Sequence, residues 1–481
     1  MQTCVENLKS VPELRRGDEL EVVIEKFADR GKSLARLDGF IVFVPYTAPG
    51  DRVRIRIQRV KKQYAEAIPL EILEPSPLRT QPRCRYFGTC GGCKWQHVPY
   101  DVQLSIKRDT VEQAFVHQAG FSKLTIPPTL PSPDVYHYRN KMEFTFSHRR
   151  WLAPWEIAEG KPLDRSFALG LHVPGFFDRV LDIHECYLPP PKTVHLLNNI
   201  RSFVKKQGWE PWHIRHHTGY ARHLIIRTPV YTSEIMVNIV TAREDPQRME
   251  HLAAFLQTHH PEITTLVNTI NRSPGQTAFG ESFSVIYGPG VIHERLHGLT
   301  FEIAPNAFFQ PNTRGAEQLY EVARTFAHLQ PSDRVYDLYC GAGTISLYLA
   351  RYVAEVIGVE LVEEAVANAR RNAALNGITN ATFVAGDLLH LFTPDWIAQH
   401  GKPDVLIVDP PRGGMHKKVV QQIARLRPER MVYVSCNPMT QARDIAMLRD
   451  IYTIEAIQPV DMFPHTHHVE NVVGLRLKHT P

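Results

Sequence analysis

From about residue 330 onward, five short apolar runs recur at regular intervals. Residues 334–339, 354–359, 381–385, 404–409 and 431–435 read as strands, and helical stretches such as 361–376 lie between them. Strands alternating with helices require a mostly parallel sheet covered on both faces. The expected fold of residues 301–481 is therefore a doubly wound, Rossmann-like α/β domain. Such sheets bind ligands beyond the carboxyl ends of their strands, so the residues just past each strand define the candidate site.

The first of these strands runs into Asp337-Leu338-Tyr339-Cys340-Gly341-Ala342-Gly343-Thr344. Two glycines separated by one residue let the backbone turn tightly and approach a ligand before a helix begins. The second strand ends in Glu360, 19 residues after Gly341, the spacing at which a carboxylate holds ribose hydroxyls. The third is followed by Asp387, placed to reach an adenine amine. The dinucleotide fingerprint wants a third glycine, and Leu347 stands there instead. That pattern favours S-adenosylmethionine over a nicotinamide cofactor. Cys340, within the loop, reads as packing.

The fourth strand delivers Asp409-Pro410-Pro411-Arg412, and the fifth delivers Ser435-Cys436-Asn437-Pro438. An acid and a thiol thus reach the edge where a cofactor would sit. A thiol in that position is a candidate nucleophile, although free cysteine is just as often a buried packing residue.

Upstream the chain is organised differently. Residues 17–73 read as short alternating strands with turns at Gly31, Gly39 and Pro49-Gly50, as in a small barrel of the OB type. In one strand Val53, Ile55 and Ile57 share a face, and Arg52, Arg54 and Arg56 the other. That second face reads as purely basic, continues into Lys61-Lys62 and suits RNA. The overall balance, 55 basic against 50 acidic residues, permits a polyanionic partner without demanding one. Pro75-Ser76-Pro77 closes this module, 1–77. A mixed α+β central domain, 78–300, follows, with a helix at 101–120 and a His148-Arg149-Arg150-Trp151 run that suits RNA weakly. No apolar leader and no run of about 18 apolar residues is visible, so a cytoplasmic protein without a membrane span is expected, and a monomer.

Of the seven cysteines, Cys84, Cys90 and Cys93 form C-x5-C-x2-C, which suggests metal rather than disulfides. Four thiolates suit zinc or an iron–sulfur cluster. His97 would complete a zinc site, and Cys186 an all-cysteine set. Cys4 has no assigned role.

Taken together, the glycine loop, Asp409-Pro-Pro-Arg412, Ser435-Cys-Asn-Pro438 and Phe463-Pro-His-Thr-His-His-Val-Glu470 resemble the RNA 5-methyluridine methyltransferases, nearest in layout to the bacterial 23S rRNA (uracil-5-)-methyltransferases. The resemblance runs along nearly the whole chain. It implies an N-terminal TRAM barrel, a central domain with a 4Fe–4S cluster on Cys84, Cys90, Cys93 and Cys186, and an S-adenosylmethionine domain. It implies cofactor contacts from Gln310, Tyr339, Thr344, Glu360, Asp387 and Asp409; Gln310 falls in the family's FxQxN segment, and Thr344 stands where some relatives carry Asn. It assigns the nucleophile to Cys436 and the base to Glu470, for which His465, His467 and His468 compete on sequence grounds. Three other readings stay open: a tRNA uracil-5-methyltransferase, a radical S-adenosylmethionine enzyme (whose usual C-x3-C-x2-C is not matched) and a non-catalytic RNA-binding factor.

Overall fold

The protein is described by a computed structural model covering residues 14–160 and 162–478. Cys4 lies outside the described residues. Among the described residues, three large sheets and a two-stranded one, Ile292–Leu296 with Leu299–Ile303, organise the chain.

The first holds six strands between Glu19 and Glu74 around one apolar core that includes Ile24, Val42, Val44, Val53 and Ile55. The strand Arg52–Val60 buries Val53, Ile55 and Ile57 and turns its arginines outward, as the two-residue period requires. The outer face is not purely basic, however. Arg52 pairs with Glu21 and Glu74, Arg54 with Glu71, and Arg56 with Glu19. Flanking strands set these glutamates directly across the ladder, where opposite charges face one another. From Arg52 to Arg56 the expected cationic stripe is an ion-pair ladder.

The second sheet has eight strands, with Lys141–Ser147 and Ala221–Arg227 near its middle. Helices Pro191–Lys206 and Pro246–His259 contribute Leu196, Leu197, Ile200, Leu252 and Leu256 to its core. The His148–Trp151 run lies at its edge and is used internally: His148 stacks on His213, Arg149 pairs with Asp178, and Arg150 pairs with Glu156.

The third sheet carries the site. Numbered within it, its strands are β1 (Arg334–Leu338), β2 (Glu355–Glu360), β3 (Ala381–Ala385), β4 (Val405–Val408), β5 (Arg430–Ser435), β6 (Tyr452–Val460) and β7 (Glu470–Leu477), in the order β3-β2-β1-β4-β5-β7-β6. The first five are parallel, and the hairpin β6–β7 closes one edge antiparallel. Alternate residues feed two cores. Val335, Val356, Ile407 and Val432 meet helix Thr313–Ala327 on one face, while Tyr336, Ile357, Leu406 and Met431 meet Val419, Val420 and Ile423 of helix Lys417–Leu426 on the other. This is the doubly wound layout. The helix Tyr100–Glu112 and the turns after it, through Val111, Phe115 and Ile126, also pack into this second core, not into the central sheet. Among the described residues, no helix is long and apolar enough to cross a membrane.

Candidate active site

Strand register builds the site. The β5–β7 ladder ends on the pair Ser435–Asn471; Cys436 lies just past β5, and Glu470 is the first residue of β7. On its other side Glu470 pairs with Val460 of β6. Asp409 stands one residue past β4, the parallel neighbour of β5. Asn437 then caps helix Pro438–Ala446 through the amide of Met439, with Pro438 at the first helical position, where its missing N–H costs nothing. The Asn437 Nδ2 also donates to the carbonyl of Arg412 at 3.0 Å, tying the thiol's turn to the acid's turn.

These groups share one cavity of about 1170 Å³ with the glycine loop. Its lining includes Gln310, Tyr339, Thr344, Glu360, Asp387 and Asp409, every residue expected at the cofactor, together with Cys436 and Glu470. Gly341 and Gly343 both adopt left-handed φ, +54° and +78°. A Cβ at Gly341 would meet no protein atom within 4 Å, which leaves its backbone open toward the cavity, whereas one at Gly343 would strike Phe383 at 2.9 Å. Tyr339, a non-glycine residue, also takes φ +65°, strain of the kind that concentrates at functional loops. Glu360 accepts from the amides of Gly341 and Val362, Thr344 bonds the Tyr320 hydroxyl at 3.0 Å, and Asp387 caps the short helix after β3. Cys340 is buried, joins the core on one face of the sheet and also borders the cavity.

Electrostatically the cavity floor is an unusual gathering of acids. Burial, then the neighbouring Asp409, pushes the Glu470 carboxyl up to about 8; Arg412 and Lys107 pull the other way. Burial, then Asp337, raises Asp409 to about 7. Asp337 itself rises to about 7 through burial, despite a hydrogen bond from Ser346. Burial, with Glu470 and Asp409, lifts the Cys436 thiol to about 11, against an opposing pull from Arg412. The three histidines differ in placement. His468 lines the cavity; His465 and His467 do not. Burial lowers them to about 4, 4 and 3 in chain order, so all are neutral at pH 7.

Sequence reasoning missed what holds the segment 461–470 in place. Lys107, fully buried, donates to Asp461 at 2.5 Å and to the Phe463 carbonyl at 3.0 Å, and Tyr100 donates to Asp461 at 2.9 Å. The His465 carbonyl accepts from the amides of Lys94 and Trp95, just past Cys93, at 2.7 and 3.1 Å. The cysteine loop is therefore latched to the loop that leads into Glu470. Nothing in the local pattern distinguishes Lys107 from a solvated helix lysine.

The four cysteines come together. Cys84, Cys90, Cys93 and Cys186 are unpaired thiols; burial raises each of them, and neighbouring cysteines add to the rise of Cys84, to about 11, of Cys93, and of Cys186, to about 12. Four clustered thiols can ionise together only around a compensating positive charge, so the donor set fits a metal group. Among the described residues, no three His, Cys, Asp or Glu side chains are grouped as a site for a metal ion. His97 stands apart, buried and bonded to the Thr47 carbonyl at 3.2 Å.

Comparison with known proteins bears on the family. The tRNA (uracil-5-)-methyltransferase family matches residues 231–387 and 399–478, and the TRAM domain matches 13–70. Proteins described as uncharacterized RNA methyltransferases are 43% identical: one from Bacteroides thetaiotaomicron over 94% of this chain and 100% of its own length, and one from Porphyromonas gingivalis over 94% and 98%. A solved Pyrococcus abyssi tRNA (uracil-54, C5)-methyltransferase, in complex with S-adenosyl-L-homocysteine, superposes with a TM-score of 0.72 at 29% identity, covering 95% of this chain and 100% of that one. The fold and site thus define an S-adenosylmethionine-dependent RNA methyltransferase. More narrowly, the chain belongs to the RNA uracil-5-methyltransferase family and carries a TRAM domain.

Proposed function

We propose that this protein methylates carbon 5 of a specific uridine in 23S rRNA through a covalent Cys436–uracil adduct. The observation that carries the reading is that Cys436, just past β5, and Glu470, at the start of β7, line one cavity with the glycine loop, Glu470 near enough to raise the thiol. Carbon 5 of uracil is a poor nucleophile. Cys436, its thiol proton released as it adds, bonds carbon 6 and converts the ring to an enolate whose carbon 5 takes the methyl from sulfur, splitting one hard step into easier ones. When bound, S-adenosylmethionine supplies an electrophilic methyl on a sulfonium sulfur. Gln310, Tyr339, Thr344, Glu360, Asp387 and Asp409 hold it. Glu470 then takes the carbon-5 proton, and elimination releases Cys436. Glu470, raised to about 8, accepts strongly once ionised, a form that Arg412 and Lys107 favour, whereas His468, held near 3, is a weak base. Asp409, raised by burial, is suited to hydrogen-bond the uracil edge. Both reacting carbons must be reached, so the base is presented unstacked.

We assign Cys84, Cys90, Cys93 and Cys186 to a 4Fe–4S cluster. Bound there, it would staple the loop 84–97 to the central sheet. The methyl transfer has no net redox change, and the latch from Lys94 and Trp95 to His465 supports a structural role. We further divide the chain into a barrel to residue 77, a central domain to 300 and a methyltransferase domain beyond.

A tRNA uridine is the second reading, favoured by the named activity of the Pyrococcus structure. Incubation with labelled methyl donor and, separately, unmodified 23S rRNA and tRNA tests both. Labelled 5-methyluridine in nucleosides from rRNA alone supports the proposal; label in tRNA alone replaces it with the second reading.

A further inference from the structure

The segment 304–311 follows strand Leu299–Ile303 and carries Gln310 to the cavity that holds Cys436; residues 306–311 line that cavity without a break. The segment belongs to no helix or strand, so its backbone must find partners elsewhere. Four of its carbonyls accept from the central sheet. Arg227, the last residue of strand Ala221–Arg227, donates through Nη2 to the carbonyls of Pro305 and Ala307 at 3.3 and 2.5 Å. Asn140, just before strand Lys141–Ser147, donates through Nδ2 to the Gln310 carbonyl and through its backbone amide to that of Pro311, both at 2.9 Å. The Thr228 amide donates to the Asn140 carbonyl at 2.7 Å, which ties the two donors together.

Arg227 is buried, and its Nε has no hydrogen-bond partner. Burial lowers it to about 10 against the pull of Glu143, so it is a cation at pH 7. Glu143 itself pairs with Lys141, at 3.9 Å. A buried cation is costly unless its hydrogen bonds compensate. Packing alone would be served by an apolar side chain, such as the buried Met236 across the ladder. Both bonds that Arg227 makes fall on the one segment. Phe309 anchors that segment in the core of the methyltransferase sheet, but apolar burial is non-directional. The direction in which Gln310 points is therefore left to the hydrogen bonds.

We propose that Arg227 is a positioning residue for the methyl donor: it fixes the carbonyls of Pro305 and Ala307 and, with Asn140, holds Gln310 at the cavity. The inference rests on the assignment of Gln310 to the cofactor and extends it. Bonds from a rigid guanidinium fork are charge-assisted and directional, which suits a segment without regular structure.

The test measures S-adenosylhomocysteine binding to the full-length protein by calorimetric titration, with urea unfolding alongside. Arg227→Met weakens binding about tenfold, a coupling typical of neighbours in one hydrogen-bond network. Arg227→Lys, which keeps the charge and a donor, recovers most of the loss. Gln310→Ala also weakens binding, and Arg227→Met adds nothing further to it in the double variant, because the group through which it acts is gone. An arginine that only stabilised the fold would lower unfolding stability and add its full binding loss to that of Gln310→Ala. Asn140→Ala repeats the pattern more mildly and replaces Arg227→Met if that variant does not fold. Wild-type affinity in the folded variant, or additive losses in the double variant, overturns the proposal. Loss in Gln310→Ala alone removes Arg227 and leaves the cofactor reading intact. Loss in Arg227→Met beside wild-type affinity in Gln310→Ala overturns both the proposal and the assignment of Gln310.

Discussion

Replacing Glu470 by Gln turns the acid-lined cavity into a stability measurement. Glu470 is only 6% exposed, and burial beside Asp409 raises it from an ordinary 4.5 to about 8. Below about pH 4.5 the carboxyl is protonated folded or unfolded, and the site is at its most stable. As pH rises, the unfolded chain releases the proton first while the native state keeps it, so wild type loses stability through about pH 8. At about 1.4 kcal/mol per pKa unit, the loss amounts to about 5 kcal/mol once the group is ionised in both states. A glutamine side chain cannot ionise and closely matches a protonated glutamate in shape. Urea unfolding of ligand-free protein should find Glu470→Gln within about 1 kcal/mol of wild type at pH 5 and several kcal/mol more stable at pH 9. A stability difference that stays constant between those pH values would refute the claim that the carboxylate is held at a cost.

Three further outcomes follow from the site. Anaerobically purified wild type should carry about four irons per chain; Cys186→Ser should lower the iron-to-protein ratio by elemental analysis, whereas His97→Ala should leave it unchanged. Lys107→Met strands Asp461 in the core and should cost about 3–5 kcal/mol in thermal or urea unfolding, while Lys107→Met with Asp461→Leu recovers much of that loss. Gly343→Ala drives a Cβ to 2.9 Å from Phe383 in a left-handed backbone conformation, so calorimetric titration should find S-adenosylhomocysteine binding weakened by about tenfold or more, roughly the 1–2 kcal/mol cost of a left-handed residue.

Much of the methyltransferase sheet was legible because its parallel strands are buried on both faces, so Val405–Val408 and Met431–Val434 stand out as unbroken apolar runs. The site was legible for a related reason: acids, glycines and the thiol lie just past those runs, at strand ends. What escaped depends on partners distant in sequence. Arg52, Arg54 and Arg56 look like a cationic face until Glu19, Glu21, Glu71 and Glu74 are brought across the ladder. The helix Tyr100–Glu112 reads as part of the central region, but its Val111 completes the core of a sheet that begins at Arg334. Lys107 takes its role from Asp461, 354 positions away. The His465–Glu470 segment offered four candidate bases, and only the fold separates His468 and Glu470, on the cavity, from His465 and His467, off it.

The covalent mechanism stands most directly on the thiol. RNA carrying 5-fluorouridine at the target blocks the final step, because fluorine cannot leave carbon 5 as a proton does. Incubated with labelled methyl donor and run on a denaturing gel, wild type should form a stable protein–RNA band that carries the label, and Cys436→Ala should form none. Glu470→Gln should accumulate the same band on ordinary uridine RNA, where wild type turns over. A labelled band of equal intensity from Cys436→Ala, or free 5-methyluridine produced by that variant, would contradict the assignment of Cys436 as the nucleophile.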